Sequence, residues 1–220
     1  MPVGILLDTK TFPETLPIFP LSSVLLLPGG ELPLNIFEPR YLNLVQDALA
    51  TRQRLMGIVM YREEAQRQLP RQEVYQIGCA GRITAFTEKA DGRYLITLTG
   101  ICRFHMEEEI PTIRKYRRIK PDWSAFHDDV IVNANVPFDR KRFLIALHSY
   151  SQAMDLQFDP DYLSKIPNFS LITFFAMNLP FSALDRQALL EAPTLEARAE
   201  ILITLLEMET RSLDEAPKIH

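Results

Sequence analysis

The amino-acid sequence predicts an α+β protein with a β-rich first half and a helical second half. Three observations support this prediction. Prolines and a Pro-Gly-Gly turn divide the apolar runs of residues 16–36 into strand lengths. An Asp-Gly pair at residues 91–92 separates two alternating segments, which is typical of a β-hairpin. After residue 139 the apolar side chains recur at intervals of three and four residues, the spacing of amphipathic helices.

The first two strands are expected on either side of Pro28-Gly29-Gly30, and the second strand covers Leu32–Ile36. Proline presets one turn dihedral, and glycine accepts a positive φ at little cost. One helix is predicted near residues 39–52, because Pro39 suits the first helical turn. The preceding Glu38 is expected to accept the free N–H groups of that turn.

Further strands are predicted at residues 55–61, 74–78 and 82–87 and in the second arm of the Asp-Gly hairpin. In that second arm Tyr94, Ile96 and Leu98 alternate with Leu95, Thr97 and Thr99, so the strand has one apolar face. This number of strands in about 120 residues is too large for an open meander to protect its edges, so partial closure into a barrel is predicted. Residues 1–14 show no period and are treated as an N-terminal arm.

The second half is predicted to be a helical bundle at residues 139–220. Residues 123–138 show no steady periodicity and are the expected linker after a β subdomain at 1–122. The predicted helices cover Asp139 to Met154, a segment capped by Ser170 and running to Asn178, a segment opened by the capping pair Ser182 and Asp185, and Thr194 to about Leu213.

Composition limits the classes of function. The chain has 220 residues, 47% of them hydrophobic, and a formal net charge of −4, which argues against a general phosphate-binding surface. Its apolar runs are shorter than the roughly 18 residues that a membrane span requires. The two cysteines, Cys79 and Cys102, are expected to be reduced thiols in strands. A cytoplasmic protein without membrane association is therefore expected.

Motifs for catalysis are missing from the sequence. It has no G-x-x-x-x-G-K-[ST] and no G-x-G-x-x-G, so a phosphate-binding loop is not predicted. The histidines and cysteines lack metal-ligand spacing; they are His105, His127, His148, His220, Cys79 and Cys102. The prediction is a protein that is not an enzyme, with no catalytic residues, no cofactor and no metal site.

Two charge runs leave alternatives open. The acidic run Glu107–Glu109 has three interpretations: pairing with the following basic residues across a hairpin, a free acidic edge, or a partner contact. The basic run Arg114–Lys120 contains a tyrosine and allows RNA binding. The competing interpretation is a cationic strand edge that discourages aggregation.

Several motifs resemble one known family, in the same order along the chain. They are LPIFPL at residues 16–21, PGGELPLNIFEPRY at 28–41, Ile77-Gly78, Gly81-Arg82-Ile83, Asp91-Gly92-Arg93, Gly100-Ile101-Cys102-Arg103-Phe104, Leu179-Pro180-Phe181 and 186–191. Over roughly residues 16–213 the chain is similar to the Lon substrate-binding domain, the N-terminal domain of the ATP-dependent protease Lon. The resemblance implies a PUA-like pseudo-barrel of mainly antiparallel strands followed by an α-helical bundle. The ATPase and the serine-lysine protease domain of Lon have no counterpart here.

The resemblance also implies a function, that of a non-catalytic protein- or peptide-binding module and an adaptor in protein quality control. The implied partners are unfolded or tagged polypeptide segments, a protease or a regulator; nucleic acid and membrane are not expected, and the oligomeric state is not predicted. An RNA-binding PUA-like module is the alternative, and an undetected enzyme is the third class that stays open. The candidate peptide-binding residues are Phe37, Glu38, Arg40, Tyr41 and Phe181. For Glu38 and Arg40 a purely structural role at the helix start is the competing interpretation.

Overall fold

The fold is described from a computed structural model, which covers residues 12–62, 73–130 and 137–215. Most of the predicted N-terminal arm lies outside these ranges. The strands are β1 (Leu16–Leu21), β2 (Glu31–Ile36), β3 (Leu55–Met60), β4 (Ile77–Glu88), β5 (Tyr94–Ile110) and β6 (Arg117–Asp122). The helices are α1 (Pro39–Leu49), a 3-10 segment (Ser124–Val130), α2 (Arg140–Ala153), α3 (Pro160–Lys165), α4 (Asn168–Asn178), α5 (Ala183–Glu191) and α6 (Leu195–Glu215).

The six strands form one mixed sheet in the order β2-β5-β4-β3-β1-β6, and β5 also pairs with β6. The additional pairing closes a ring of five strands, because β5 is long enough to pair with β4 over residues 94–105 and with β6 over residues 105–110. Strand β2 pairs with residues 94–99 of β5. The β1–β3 pair is parallel and the others are antiparallel. The predicted α+β class is confirmed. Strand β2 lies outside the ring and pairs only with β5 among the described strands.

The Pro-Gly-Gly turn before β2 forms as predicted. Gly29 has a φ of 74°, and its N–H donates to the carbonyl of Gly100 at 2.9 Å. The N–H of Gly30 donates to Leu27 O at 2.9 Å and closes the turn. A Cβ on Gly100 would lie 2.0 Å from that same Leu27 O, so no larger residue fits where the turn crosses β5.

The core inside the ring is centred on Phe104, which is fully buried. Leu16, Ile18 and Ile119 pack in the same cluster. The Trp123 ring lies 5.8 Å from the Phe104 ring, edge to face. Burial of these apolar side chains is the main favourable contribution to the stability of this part of the chain.

Helix α1 begins at Pro39 as predicted, but the prediction for Glu38 is wrong. The Glu38 side chain accepts no hydrogen bond from the backbone N–H groups of the first turn. Its carboxylate instead accepts from Arg40 Nε at 2.9 Å, while its backbone carbonyl accepts from the N–H groups of Tyr41 and Leu42. Because proline at the first position has no N–H, fewer donors need a cap, and the carboxylate turns to the nearby cation.

The caps of the later helices agree with the prediction in part. Ser182 and Asp185 form the expected box, with Asp185 N donating to Ser182 Oγ at 3.2 Å and the Ser182 hydroxyl 2.6 Å from Asp185 Oδ2. The cap predicted at Ser170 is wrong, because α4 already begins at Asn168 and contains Ser170 in its first turn. Helix α3, capped by the Asp159 carboxylate, was not predicted.

The described chain divides into two compact units. The first comprises residues up to 130 together with Phe181–Leu190, and the second comprises residues 137–180 and from Glu191 onward. Residues 181–190 return to the first unit, where Gln187 Nε2 donates to Ile77 O at 3.2 Å. The predicted subdomain boundaries stay predictions, because compactness alone does not show which part folds independently. Within the described ranges, no helix is both long and apolar enough to span a bilayer.

Candidate functional site

The start of α1 brings four of the five predicted site residues together. Phe37 follows β2 directly, and 63% of its surface is exposed. Glu38 and Arg40 form an exposed ion pair, with 2.8 Å between Nη2 and Oε2. The Arg40 guanidinium lies 4.5 Å from the centre of the Tyr41 ring, which orients the cation over the aromatic face. The arrangement offers one open apolar side chain next to a neutralised pair of charges.

Tyr41 and Phe181 are buried, at 5% exposure each. The Tyr41 ring packs 4.1 Å from the Phe19 ring, and burial raises the pKa of its hydroxyl far above the ordinary value of 10.0. Phe181 precedes α5, and its carbonyl accepts a hydrogen bond from Arg186 Nε at 3.0 Å. Both rings support neighbouring elements, and as peptide-binding residues both stay predictions.

An apolar face of the sheet lies next to Phe37. Leu34, Ile96 and Phe86 stand opposite one another across β2, β5 and β4 and therefore point to the same side. Ile96 is buried in the middle, whereas Leu34 is half-buried and Phe86 is 42% exposed. The next row on this face is similar, because the half-buried Leu32 stands opposite the buried Leu98. We call Leu32, Leu34, Phe37 and Phe86 the β2 patch.

The β2 patch has a rigid support. The Phe86 ring lies 5.0 Å from the Tyr94 ring, in the edge-to-face arrangement that aromatic pairs prefer. The Tyr94 hydroxyl accepts a hydrogen bond from Gln46 Nε2 of α1 at 2.8 Å. Because Ile36 stands opposite Tyr94, this hydrogen bond joins α1 to the end of the sheet that directly precedes Phe37 in the chain. Sequence reasoning missed Leu32, Leu34 and Phe86, since their exposure depends on β2 ending the sheet.

The free side of β2 offers few backbone partners. Pro33 has no N–H to donate to β5, so its backbone must face the free edge of β2. The backbone N–H and C=O groups of Glu31 and Asn35, two residues before and after it, face the same edge. The backbone groups of the alternate residues, Leu32 and Leu34, face β5. Gly30 precedes them in the same alternation, and its carbonyl accepts a hydrogen bond from Gly100 N at 2.8 Å. A peptide added to this strand would therefore find two N–H donors separated by a gap.

Arg103 is a buried charge with several hydrogen-bond partners. Its Nε and Nη2 donate to the two oxygens of Asp129 at 2.8 Å, and its backbone N–H donates to Oδ2 at 2.9 Å. The Nη1 group donates to Leu190 O at 2.9 Å, and the guanidinium lies 4.5 Å from the Phe126 ring centre. The side chains of Arg103 and Asp129 are only 5% and 9% exposed. This arrangement joins β5, the 3-10 segment and α5, so its role is structural.

The basic run 114–120 is largely neutralised. Strand β6 pairs with the end of β5, and salt bridges join Arg117 to Glu109 and Lys120 to Glu107. The predicted hairpin pairing of the acidic run is confirmed for these two pairs. Arg114 instead binds Asp47 at 2.6 Å. That hydrogen bond is the main reason why the pKa of Asp47 is lowered from its ordinary 3.8.

Both cysteines are buried and reduced, as predicted. Cys102 stands opposite Ala80, and Cys79 stands opposite Arg103. Burial raises the pKa of the Cys102 thiol to about 12, so it stays protonated at neutral pH and is a poor nucleophile. Among the residues that the structure describes, no group of three His, Cys, Asp or Glu side chains is placed to hold a metal ion.

Comparison with known families assigns residues 15–208 to the ATP-dependent protease La (LON) substrate-binding domain. Relatives include the Lon protease of Anaeromyxobacter dehalogenans, 25% identical over 225 residues, and Lon protease 1 of Herpetosiphon aurantiacus, 27% identical over 215 residues. These alignments cover 98% and 94% of this chain. The chain spans about a quarter of the length of these relatives, 26% and 25% respectively.

Two solved structures have the same fold. A Lon N-terminal domain protein from Xanthomonas campestris has a TM-score of 0.61 at 23% identity, covering 86% of this chain and 97% of its own. The N-terminal domain of the Mycobacterium avium complex Lon protease has a TM-score of 0.57 at 14% identity, covering 87% and 97%. At these identities the likeness concerns the fold alone.

Proposed function

Because the chain belongs to the ATP-dependent protease La (LON) substrate-binding domain family, we propose that it binds exposed apolar segments of protein substrates through the β2 patch. The observation that carries this proposal is the open row of Leu34 and Phe86 on a sheet face that α1 also contacts through the Gln46–Tyr94 hydrogen bond, together with the exposed Phe37 at the end of β2. Apolar side chains that form a contiguous exposed surface are typical of polypeptide-binding sites.

The expected affinity is moderate. Burying one exposed phenylalanine against a ligand contributes about 1.5 to 3 kcal/mol, and ordering a peptide offsets part of that gain. Two phenylalanines and two half-open leucines therefore support dissociation constants of about 1 to 100 μM. Binding through side chains, with little help from the interrupted β2 edge, suits segments of varied sequence. Such contacts are reversible and require no catalytic group.

The same reversible binding fits an adaptor in protein quality control. In this role the domain holds an unfolded or tagged chain and passes it to a protease or a regulator. The family membership supports a place in proteolysis, and the neutralised basic run favours a protein partner over RNA.

Fluorescence anisotropy tests the proposed site. The probe is a labelled peptide of about 15 residues rich in phenylalanine and leucine, and a matched peptide with serine at those positions is the comparison. We expect Phe37→Ser and Phe86→Ser each to weaken binding of the apolar peptide by about tenfold or more, since tenfold corresponds to 1.4 kcal/mol. Leu184→Ser is the control, because Leu184 is 69% exposed on α5 outside the patch.

Three results would reject the proposal: equal binding of the apolar and serine peptides, unchanged affinity in both patch variants, or the same loss in Leu184→Ser. A labelled single-stranded RNA, measured at two salt concentrations, tests the alternative. Phosphate contacts predict a steep loss of RNA affinity with salt, whereas apolar peptide binding changes little.

A further inference from the structure

Helix α2 begins with an arrangement that local helix physics disfavours. Its first three residues are Arg140, Lys141 and Arg142, and its first turn has no acidic residue. Cations at a helix N-terminus oppose the partial positive charge of the helix dipole. Three consecutive cations therefore need another reason to be there.

Two of the three cations have partners inside the second unit. The Arg140 guanidinium donates to the carbonyls of Leu163 and Ile166 at 2.6 and 3.0 Å and so caps the end of α3. Arg142 binds both carboxylate oxygens of Glu207 on α6, at 2.8 and 2.9 Å. These contacts explain Arg140 and Arg142 as connections between helices.

Lys141 has no such role. It makes no hydrogen bond or ion pair with any residue that the structure describes, and it lines two adjoining grooves of about 480 and 650 Å³. Ile145 and Ser149 line both grooves as well, and Ile145 is 59% exposed. Lys141, Leu144, Ile145, His148 and Ser149 stand at positions i, i+3, i+4, i+7 and i+8 and thus share one side of the helix. We call these five residues the α2 face.

The α2 face has more cations than acids around it. Arg140 and Lys141 line one groove, whose described lining contains no acidic residue, and Arg211 lines the other groove on the α6 side. Arg142 binds both Glu207 of that second groove and the nearby Glu200. Asp139, the other acid of the groove, accepts the N–H of Arg142 as the cap of α2. An apolar stripe between Lys141 and Arg211 is thus left with positive charge at its rim.

We propose that the α2 face binds an acidic amphipathic helix of a partner protein. The stripe runs over the nine residues 141–149, about 12 Å, which is close to the length of two turns of a docked helix. Apolar side chains of that helix pack on Leu144 and Ile145, and carboxylates on its flanks meet Lys141 and Arg211. The ligand is an acidic helix and the site lies in the second unit, so the inference is independent of the β2 patch.

The test uses the full chain and a fluorescein-labelled helical peptide of about 16 residues, with leucine at i, i+3, i+4 and i+7 and glutamate on both flanks. A charge-inverted peptide, with lysine for every glutamate, is the matched probe. We expect the acidic peptide to bind at least about tenfold more tightly than the basic one, and the difference to shrink at high salt.

Substitutions locate the binding. Lys141→Glu and Ile145→Ser are expected to weaken binding of the acidic peptide by about tenfold or more. Lys165→Glu, an exposed lysine on α3, and Phe37→Ser are expected to leave it unchanged. If either α2 variant unfolds, as judged by circular dichroism, Lys141→Gln and Ile145→Ala replace them. Equal affinity for both peptides, no binding of the acidic peptide, or full binding by folded α2 variants would overturn the proposal.

Discussion

The buried ion pair of Arg103 and Asp129 allows a quantitative prediction. Asp129→Ala removes the acceptor of three Arg103 groups, the backbone N–H, Nε and Nη2. Of the hydrogen bonds described above, the guanidinium then keeps the one to Leu190 O. Because the two side chains are only 5% and 9% exposed, water cannot replace the lost carboxylate. Breaking a buried pair on one side costs about 3 to 5 kcal/mol, a large share of the 5 to 15 kcal/mol that stabilise a typical domain.

Urea unfolding followed by tryptophan fluorescence measures this loss. Trp123 is the single tryptophan of the chain, and it packs near Phe104 in the same unit as the ion pair. The control is Glu107→Gln, which removes an exposed pair with Lys120 and should leave the unfolding midpoint unchanged. The double variant Arg103→Met with Asp129→Leu should recover most of the lost stability, since apolar side chains tolerate burial. A midpoint for Asp129→Ala that equals the control would refute the assigned role of the pair.

Three further predictions concern single residues. Gly100→Ala should lower the free energy of unfolding by about 2 kcal/mol or more, because the new Cβ meets a backbone carbonyl. Gly92→Ala, at an open turn with a φ of 80°, should lower it by only about 1 kcal/mol, and urea titration of both variants compares the two losses. Neither thiol should react with a disulfide reagent at pH 8 in the native protein, given that burial raises the pKa of Cys102 to about 12, and both should react in denaturant. The hydrogen bond from Arg114 lowers the pKa of Asp47, so ionised Asp47 stabilises the fold above pH 3.8, and this contribution is lost as the pH falls through the folded pKa. Asp47→Asn should therefore make the free energy of unfolding less dependent on pH at acid pH, as measured by fluorescence-monitored unfolding.

Features set by neighbouring residues could be predicted from the sequence. The turn at Pro28-Gly29-Gly30 and the hairpin at Asp91-Gly92 both depend on backbone conformations that few residue types adopt. The alternation of Tyr94, Ile96 and Leu98 also predicted the buried face of β5. In each case the physical cause lies within a few residues of its effect.

Features that depend on distant partners could not be predicted. The ion pair of Arg103 and Asp129 joins positions 26 residues apart, and the β5–β6 closure depends on a strand much longer than its alternating part. Residues 183–190 are helical as expected, but residues 181–190 belong to the first unit, where Gln187 donates to Ile77 O. The Glu38 cap was mispredicted because the competing partner, Arg40, is an equally local choice.

The proline in β2 has a consequence for a molecule that exposes leucine and phenylalanine side chains. Neighbouring copies could otherwise join strand to strand and grow into fibrils, because each added chain would offer a fresh template. Pro33 interrupts that template in the backbone itself, and the side chains around it need not be covered. The half-exposed Leu32 and Leu34 and the protection against polymer growth by Pro33 are thus found together in the six residues of β2.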